Sequence, residues 1–300
     1  MDAPRRWLTL GLTIAGVVVA AGCDRSRAAP PRPATADAGP DAATADPLAG
    51  FVMHHNRFAD LGAAVTYVMR ERPRVLGIGE IHERVDRVST GTPALVRFAR
   101  ELLPAIAAQT SDLVIETWTV APGCATGAAN SRAIEQTMRR PAATKGHIAS
   151  LFGITKANSI TAHVMRLGCD DLAAVNRPDG LDAERLLGLV TRELGRVTAS
   201  AVRYRDERGE TRPLIVVYGG ALHNDLYPPR STREWSYALD LDRLTGERYV
   251  ELDLVRPDQV EGEPLYEREP WYPLLAKADA AHVVLVERAP HSYLAILPRE

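Results

Sequence analysis

The chain has 300 residues, with 36 Lys and Arg against 38 Asp and Glu and a formal net charge of -2, and its basic residues are spread along the whole length. A nucleic-acid binder shows a basic excess or stripe, so this balance argues against a nucleic-acid partner. No Gly-x-Ser-x-Gly elbow and no P-loop occurs, which argues against a serine hydrolase of that type and against nucleotide hydrolysis.

At the N-terminus, Arg5 and Arg6 give a positive start, residues 8–21 form an apolar stretch too short for a comfortable membrane span, and Ala20-Ala21-Gly22 precede Cys23. Residues 1–22 thus resemble a bacterial lipoprotein signal peptide, after which Cys23 takes a diacylglyceryl group and becomes the new N-terminus. Ala20 departs from that pattern, since such signals usually carry Leu, Val or Ile there. The alternative is an ordinary signal peptide cut near Ala21. Both readings send the protein out of the cytoplasm, and the first makes it a lipid-anchored protein of the bacterial cell envelope that faces the periplasm. Asp24 resembles the signal that retains some lipoproteins in the inner membrane, which leaves inner versus outer membrane open. Residues 23–46 are dominated by Ala, Pro and Asp with no aromatic residue. Such a composition cannot bury enough apolar area to offset the entropy of ordering, so a flexible tether is expected. Residues 47–300 suit a single domain with a full core.

That domain alternates strand-like and helix-like segments, the pattern of βαβ units, and predicts an α/β fold with a mostly parallel central sheet flanked by helices and additional C-terminal strands. Residues 57–70 place Phe58, Leu61, Val65 and Val68 at helical spacing, and 75–79 read as the first strand. Residues 92–108 predict a helix with Thr92 as N-cap and Pro93 at its first position, followed by a second strand over 112–116. The segment 118–157, rich in Gly and Pro, reads as an irregular insertion or lid with one short helical stretch over 130–139. Further on, 158–167 predict a helix ended by Gly168, 172–175 a third strand, 181–204 a long helix and 214–218 a fourth strand. Residues 249–255, 282–287 and 292–297 read as further strands, the last two joined in a hairpin at Ala289-Pro290.

With Cys23 assigned to lipid, Cys124 and Cys169 remain as an even pair in an oxidising compartment, which points to a disulfide. The predicted topology works against it. Cys124 lies past the end of one strand and Cys169 just before the start of the next, on opposite edges of a parallel sheet, unless the long connection after Glu116 carries Cys124 across.

The chemistry-bearing residues gather at strand ends. The run VLGIGEIH ends in Glu80 and His82, DLVIE closes on Glu116, and LIVVYGGALH reaches His223. In an open α/β sheet the carboxyl ends of parallel strands open onto the ligand crevice, so acids and imidazoles arriving there from separate strands predict one shared site. Glu80 and His82 are two apart, which places them on one side of an extended chain, and Gly77 and Gly79 leave room for backbone packing or a ligand. Two carboxylates and two imidazoles can form an N2O2 set for a divalent ion such as Zn, Mn or Co, whose bound water would be the nucleophile. Without a metal, His82 could be the general base, with Glu80 or Glu116 orienting it. Arg84 and Arg87 could hold a carboxylate or developing oxyanion, or simply be solvated. Asn176 could donate to substrate, or be a turn residue before Pro178. Trp118 and Tyr227 could line an apolar substrate pocket or fill core. His54, His55, His147 and His163 are expected to be surface or packing residues.

GEIH after the first strand, VIET at the second, AAVN after the third and YGGALH after the fourth resemble, in their order, the superfamily of ChaN-type haem-binding lipoproteins, Tiki and TraB proteins and erythromycin esterases. The resemblance covers roughly residues 75–224. It implies a central site built from Glu80, His82, Glu116 and His223, serving metal-dependent proteolysis, ester hydrolysis by activated water, or haem binding. Tyr218 and Tyr227 are the tyrosines available to a haem iron. The resulting expectation is a cell-envelope hydrolase acting on a small-molecule ester or a peptide. Its alternative is a non-catalytic haem- or metal-binding lipoprotein.

Overall fold

The computed structural model describes residues 51–85, 91–177, 180–210 and 212–300, all of which belong to the compact unit Leu48–Glu300. The signal peptide, Cys23, the tether, Arg87 and Pro178 lie outside the described residues. Among the described residues no helix is long and apolar enough to cross a membrane.

In chain order, β1 (His54–Phe58) leads into α1 (Leu61–Val68) and β2 (Val75–Glu80). Next come α2 (Ala94–Arg97), which passes through a π-turn into α3 (Leu103–Ile106), then β3 (Thr110–Val120), α4 (Gly127–Met138) and α5 (Ala143–Ala157). They are followed by β4 (Thr161–Leu167), α6 (Cys169–Val175), the short pair β5 (Asn176–Arg177) and β6 (Gly180–Leu181), and the long α7 (Ala183–Arg208). After β7 (Leu214–Gly220) come α8 (Ala221–Asn224), α9 (Ala238–Thr245), β8 (Tyr249–Val255), α10 (Pro257–Val260), β9 (Val283–Ala289) and β10 (Ser292–Ile296).

The main sheet has eight strands in the order β1-β9-β10-β8-β2-β7-β3-β4. From β10 to β4 every neighbouring pair is parallel, and β9 and β1 extend the sheet antiparallel. The expected α/β class is therefore observed; of the C-terminal strands, β8 and β10 continue the parallel part, and the antiparallel pairings are those that β9 makes with β10 and with β1. Side-chain parity assigns the two faces. Leu214, Val216 and Tyr218 of β7 pack with Leu61, Phe98 and Leu102 from α1 and the α2–α3 helix, while Ile215 and Val217 pack with Leu189, Val190 and Leu194 of α7. On β2, Gly77 and Gly79 are needed for close packing on the α7 side. A Cβ on Gly79 would come within 2.1 Å of Asp253 Oδ1 and 2.7 Å of the Ala221 Cα, and one on Gly77 within 1.9 Å of the Tyr249 hydroxyl.

Three sequence expectations are corrected. Within the stretch 158–167 expected as a helix, Thr161–Leu167 form a strand, because Asn158 caps the end of α5 by donating its amide to the Ile154 carbonyl at 2.9 Å instead of starting a helix. Residues 172–175 lie in α6, whose first turn carries Asp170 and Asp171. The Asp171 carboxylate accepts from the Gly168 amide at 3.0 Å, a helix N-terminus signature that outweighs a four-residue apolar run. The region 118–157 is not irregular: β3 continues to Val120 and two helices follow. In addition, β1 precedes the first helix, and the hairpin turn falls at Pro290 and His291, one residue later than expected.

Placing β4 over 161–167 also resolves the cysteines. Cys124 follows β3 and Cys169 follows β4, two parallel neighbours, so both lie at the carboxyl edge, and they are bridged with their Cα atoms 5.3 Å apart. The bond ties the approach to α4 onto the first residue of α6.

Two stability measurements follow from this packing. Replacing Cys124 and Cys169 with Ala, which opens a 45-residue loop, is expected to lower the unfolding free energy by about 2–4 kcal/mol in urea titration. Gly79→Ala is expected to lose about 1–3 kcal/mol, because the backbone at Ala221 cannot yield as a flexible side chain would.

Candidate functional site

Parallel register sets the site. Glu80 at the end of β2 is level with Gly220 on β7, and Ile115 of β3 is level with Tyr218, so Glu116, where β3 parts from β7 and runs on beside β4, stands beside the ends of β2 and β7. The pairing of β3 with β4 shifts between Ile115 and Trp118, an irregularity at the residue that carries the acid. A Cβ on Gly220 would lie 3.1 Å from His82 Nε2, 3.5 Å from Glu116 Oε2 and 3.6 Å from His223 Cδ2. Three of the four predicted side chains, His82, Glu116 and His223, therefore meet around this glycine, and Glu80 joins them through His82 Nδ1, 2.9 Å from its Oε1.

Glu116 is the most deeply held, with 4% of its side chain exposed. Its Oε2 accepts from the Gly220 amide at 2.6 Å, and its Oε1 accepts from Arg140 Nη2 at 2.9 Å. Burial alone would raise its pKa. His82, by charge and hydrogen bond, then Arg140 and His223 reverse that and hold the carboxyl well below its usual range.

His82 is the open member, with 25% of its side chain exposed. Nδ1 meets Glu80 Oε1 at 2.9 Å, while Nε2 lies 3.2 Å from both Glu116 oxygens and 2.6 Å from Arg140 Nη2. A carboxylate accepts only, so Nδ1 donates to Glu80; Nε2 accepts from Arg140 Nη2 in the neutral ring and can donate to Glu116 in the imidazolium. Burial and the Arg140 guanidinium disfavour the imidazolium, but Glu116 and Glu80 outweigh them and the pKa is raised above 6.5. Glu80 is itself fixed, because the Tyr218 hydroxyl donates to its second oxygen.

His223 is 4% exposed. Its Nδ1 lies 2.8 Å from Thr191 Oγ1 and 3.1 Å from the Trp235 carbonyl. The carbonyl can only accept, so Nδ1 donates, and burial lowers the pKa of this ring. His223 is a neutral imidazole locked by backbone, while His82 is the one placed to exchange protons.

Arg140 is the residue that the sequence reading missed. It lies between α4 and α5 in the segment read as irregular, and one arginine among many carries no spacing signal. Its Nε is buried without a hydrogen-bond partner. The Val85 amide donates to the Arg139 carbonyl at 2.8 Å, which ties the segment after His82 to the end of α4. His147 comes closer than expected: with Glu80, His82, Arg140 and Thr144 it lines a recess of about 20 Å³. A second cavity, of about 580 Å³, borders Glu116, Trp118 and Arg140 and runs between α4 and α5.

The other candidates lie elsewhere. Arg84 is exposed and is not among the residues lining these two cavities. Asn176 ends α6 and donates its amide to the Leu172 carbonyl at 2.9 Å and the Asn130 carbonyl at 3.4 Å, a structural use of the side chain. The Tyr227 hydroxyl donates to the Pro290 carbonyl at 2.9 Å, and the Tyr218 ring packs on Phe98. Among the described residues no group of three or more His, Cys, Asp and Glu is disposed to hold a metal ion. The space a divalent ion would need between His82 Nε2 and Glu116 Oε1 holds the Arg140 guanidinium, so the donor set as arranged does not fit a metal.

No family model matches the chain, and no curated protein matches its sequence. A solved structure, that of the type III effector HopBA1, superposes with a TM-score of 0.43 at 12% identity, covering 83% of this chain and 98% of that one. Likeness of that degree carries no argument about activity.

Opposite shifts in two neighbouring imidazoles can be read directly. In NMR titration His82 is expected to titrate above 6.5 and His223 below it. Glu116→Gln is expected to bring His82 down, because it removes the carboxylate charge that favours the imidazolium.

Proposed function

We propose that the protein is a cell-envelope lipoprotein and a hydrolase, in which His82 activates water against an ester or peptide carbonyl and Arg140 receives the developing negative charge. The observation that carries this reading is the water-sized recess against His82 and Arg140, beside a much larger cavity that Arg140 also lines. A recess of about 20 Å³ exceeds the roughly 10–15 Å³ that one water needs.

The chemistry closes without a further co-reactant. Water attacks the acyl carbon while its proton passes to His82 Nε2, and Glu80 stabilises the resulting imidazolium at Nδ1. The carbonyl oxygen becomes an oxyanion that Arg140 can hold through its unpartnered Nε and its Nη2, and drawing Arg140 onto substrate frees Nε2 to act as base. The acyl C–O or C–N bond then breaks, and the leaving group takes the proton back from His82. Glu116 keeps the arginine in place and raises the basicity of the imidazole. His223, neutral and fixed, closes the inner wall.

The motifs GEIH, VIET and YGGALH support kinship with the ChaN, Tiki, TraB and erythromycin esterase superfamily through Glu80, His82, Glu116 and His223. Asn176 does not contribute to that support. Envelope location is supported by the N-terminal pattern ending at Cys23 and by the Cys124–Cys169 bridge, since disulfides persist in oxidising compartments.

On a panel of activated esters, His82→Ala is expected to lower kcat by about 10²–10⁴-fold, and Arg140→Ala by about 10²–10³-fold, with circular dichroism unchanged. An unaltered rate in either variant removes the assigned roles. Because His82 must be neutral to accept a proton, kcat/KM is expected to rise as pH climbs through its raised pKa, above 6.5, and the inflection moves down in Glu116→Gln. Activity is expected to survive chelators. Loss with EDTA and recovery with Zn, Mn or Co would reassign the cluster to a metal, and a Soret band on haem titration without turnover would favour the carrier.

A further inference from the structure

The 580 Å³ cavity lies within the roughly 300–1,000 Å³ range of small-molecule sites, and its lining is divided by chemistry. Trp118, Met138 and Ile148 supply an apolar wall, and the Trp118 indole is held in place by donating to Ser131 Oγ at 2.9 Å. Against that wall stand four basic residues and two acids, although the chain as a whole is slightly acidic. Most of these charges answer one another. Lys145 pairs with Glu135 at 2.7 Å, and Arg140 with Glu116. Arg132 has no hydrogen bond or ion pair with any described residue, and it shares with Gln136 a face of α4 that lines the cavity. It lies six residues before the end of α4, about 9 Å along the axis from the turn that delivers Arg140.

Resting on the hydrolase reading above, we propose that this cavity selects an anionic amphiphile. Its substrate is an ester with an apolar body and a terminal carboxylate or phosphate about 10 Å from the scissile carbonyl, and Arg132 binds that anion. The length follows from the rise of α4, the apolar body from the Trp118 wall, and the charge from the uncompensated guanidinium. A guanidinium on a carboxylate is a charge-assisted, often two-pronged contact, and about tenfold in affinity is a reasonable yield for one at a half-open rim.

The test compares two p-nitrophenyl esters on the full chain: the hemi-ester of suberic acid, which ends in a carboxylate, and the octanoate, of equal chain length and neutral. The suberate ester is expected to show a KM about tenfold lower, and Arg132→Gln is expected to bring the KM ratio of the two esters toward one, with Arg132→Lys restoring part of it. Equal KM values in the native protein, or a ratio unmoved by Arg132→Gln, overturn the proposal while leaving the hydrolase reading intact. Calorimetric titration with suberate itself separates the two: binding that weakens in Arg132→Gln without turnover of either ester retains the anion site and removes the hydrolase.

Discussion

A buried carboxylate must be compensated, and the way Glu116 is compensated determines the rest of the site. Leaving such a charge unpaired in a low-dielectric interior costs several kcal/mol. Glu116 meets that demand with a backbone amide from β7, a guanidinium from between α4 and α5, and an imidazole from beyond β2. Each donor comes from a different part of the chain, so one acid within β3 draws three otherwise separate segments together. The glycines of β7 are part of the same constraint. A Cβ on Gly219 would fall 2.8 Å from Glu116 Oε2, so the carboxylate fits only because that strand ends in two residues without side chains.

The two histidines illustrate how environment divides one residue type into two roles. His82 faces carboxylates on both nitrogens and a quarter of it reaches solvent, so it can change its proton. His223 has its Nδ1 bound to a hydroxyl and a carbonyl and is otherwise enclosed, so burial outweighs the nearby Glu116 charge and keeps the ring below its usual pKa. A comparable division appears further along the sheet. Arg288 donates to both Glu251 and Asp253 at 2.7 Å, yet burial, with crowding by Asp253, pushes Glu251 up to about 8. That cluster lies along β8, the strand next to β2, with Asp253 level with Gly79.

Much of the site was legible in the sequence because strand ends are marked in one dimension. An apolar run that stops at Glu or His announces both the strand and the polar residue at its edge, and parallel neighbours align those edges. Arg140 carried no such mark, since it belongs to a connection whose position depends on tertiary contacts. The fold was legible where periodicity was long, as in α7 and β7, and failed where segments were short. Asn158 and Gly168 are residues that can sit at either end of a helix. Each was placed at the wrong end, which turned β4 into a helix and α6 into a strand. The same error put Cys169 at the wrong edge of the sheet and made a feasible bridge look remote.

The cavity wall that carries Arg132 begins three residues after Cys124, and the bridge to Cys169 adds a cross-link between the approach to α4 and the start of α6. Reducing that bond would leave α4 held by its own backbone and its packing, without the cross-link. A chain whose bridge had not closed would keep the cluster around Glu116 and yet present a looser wall to whatever enters the large cavity.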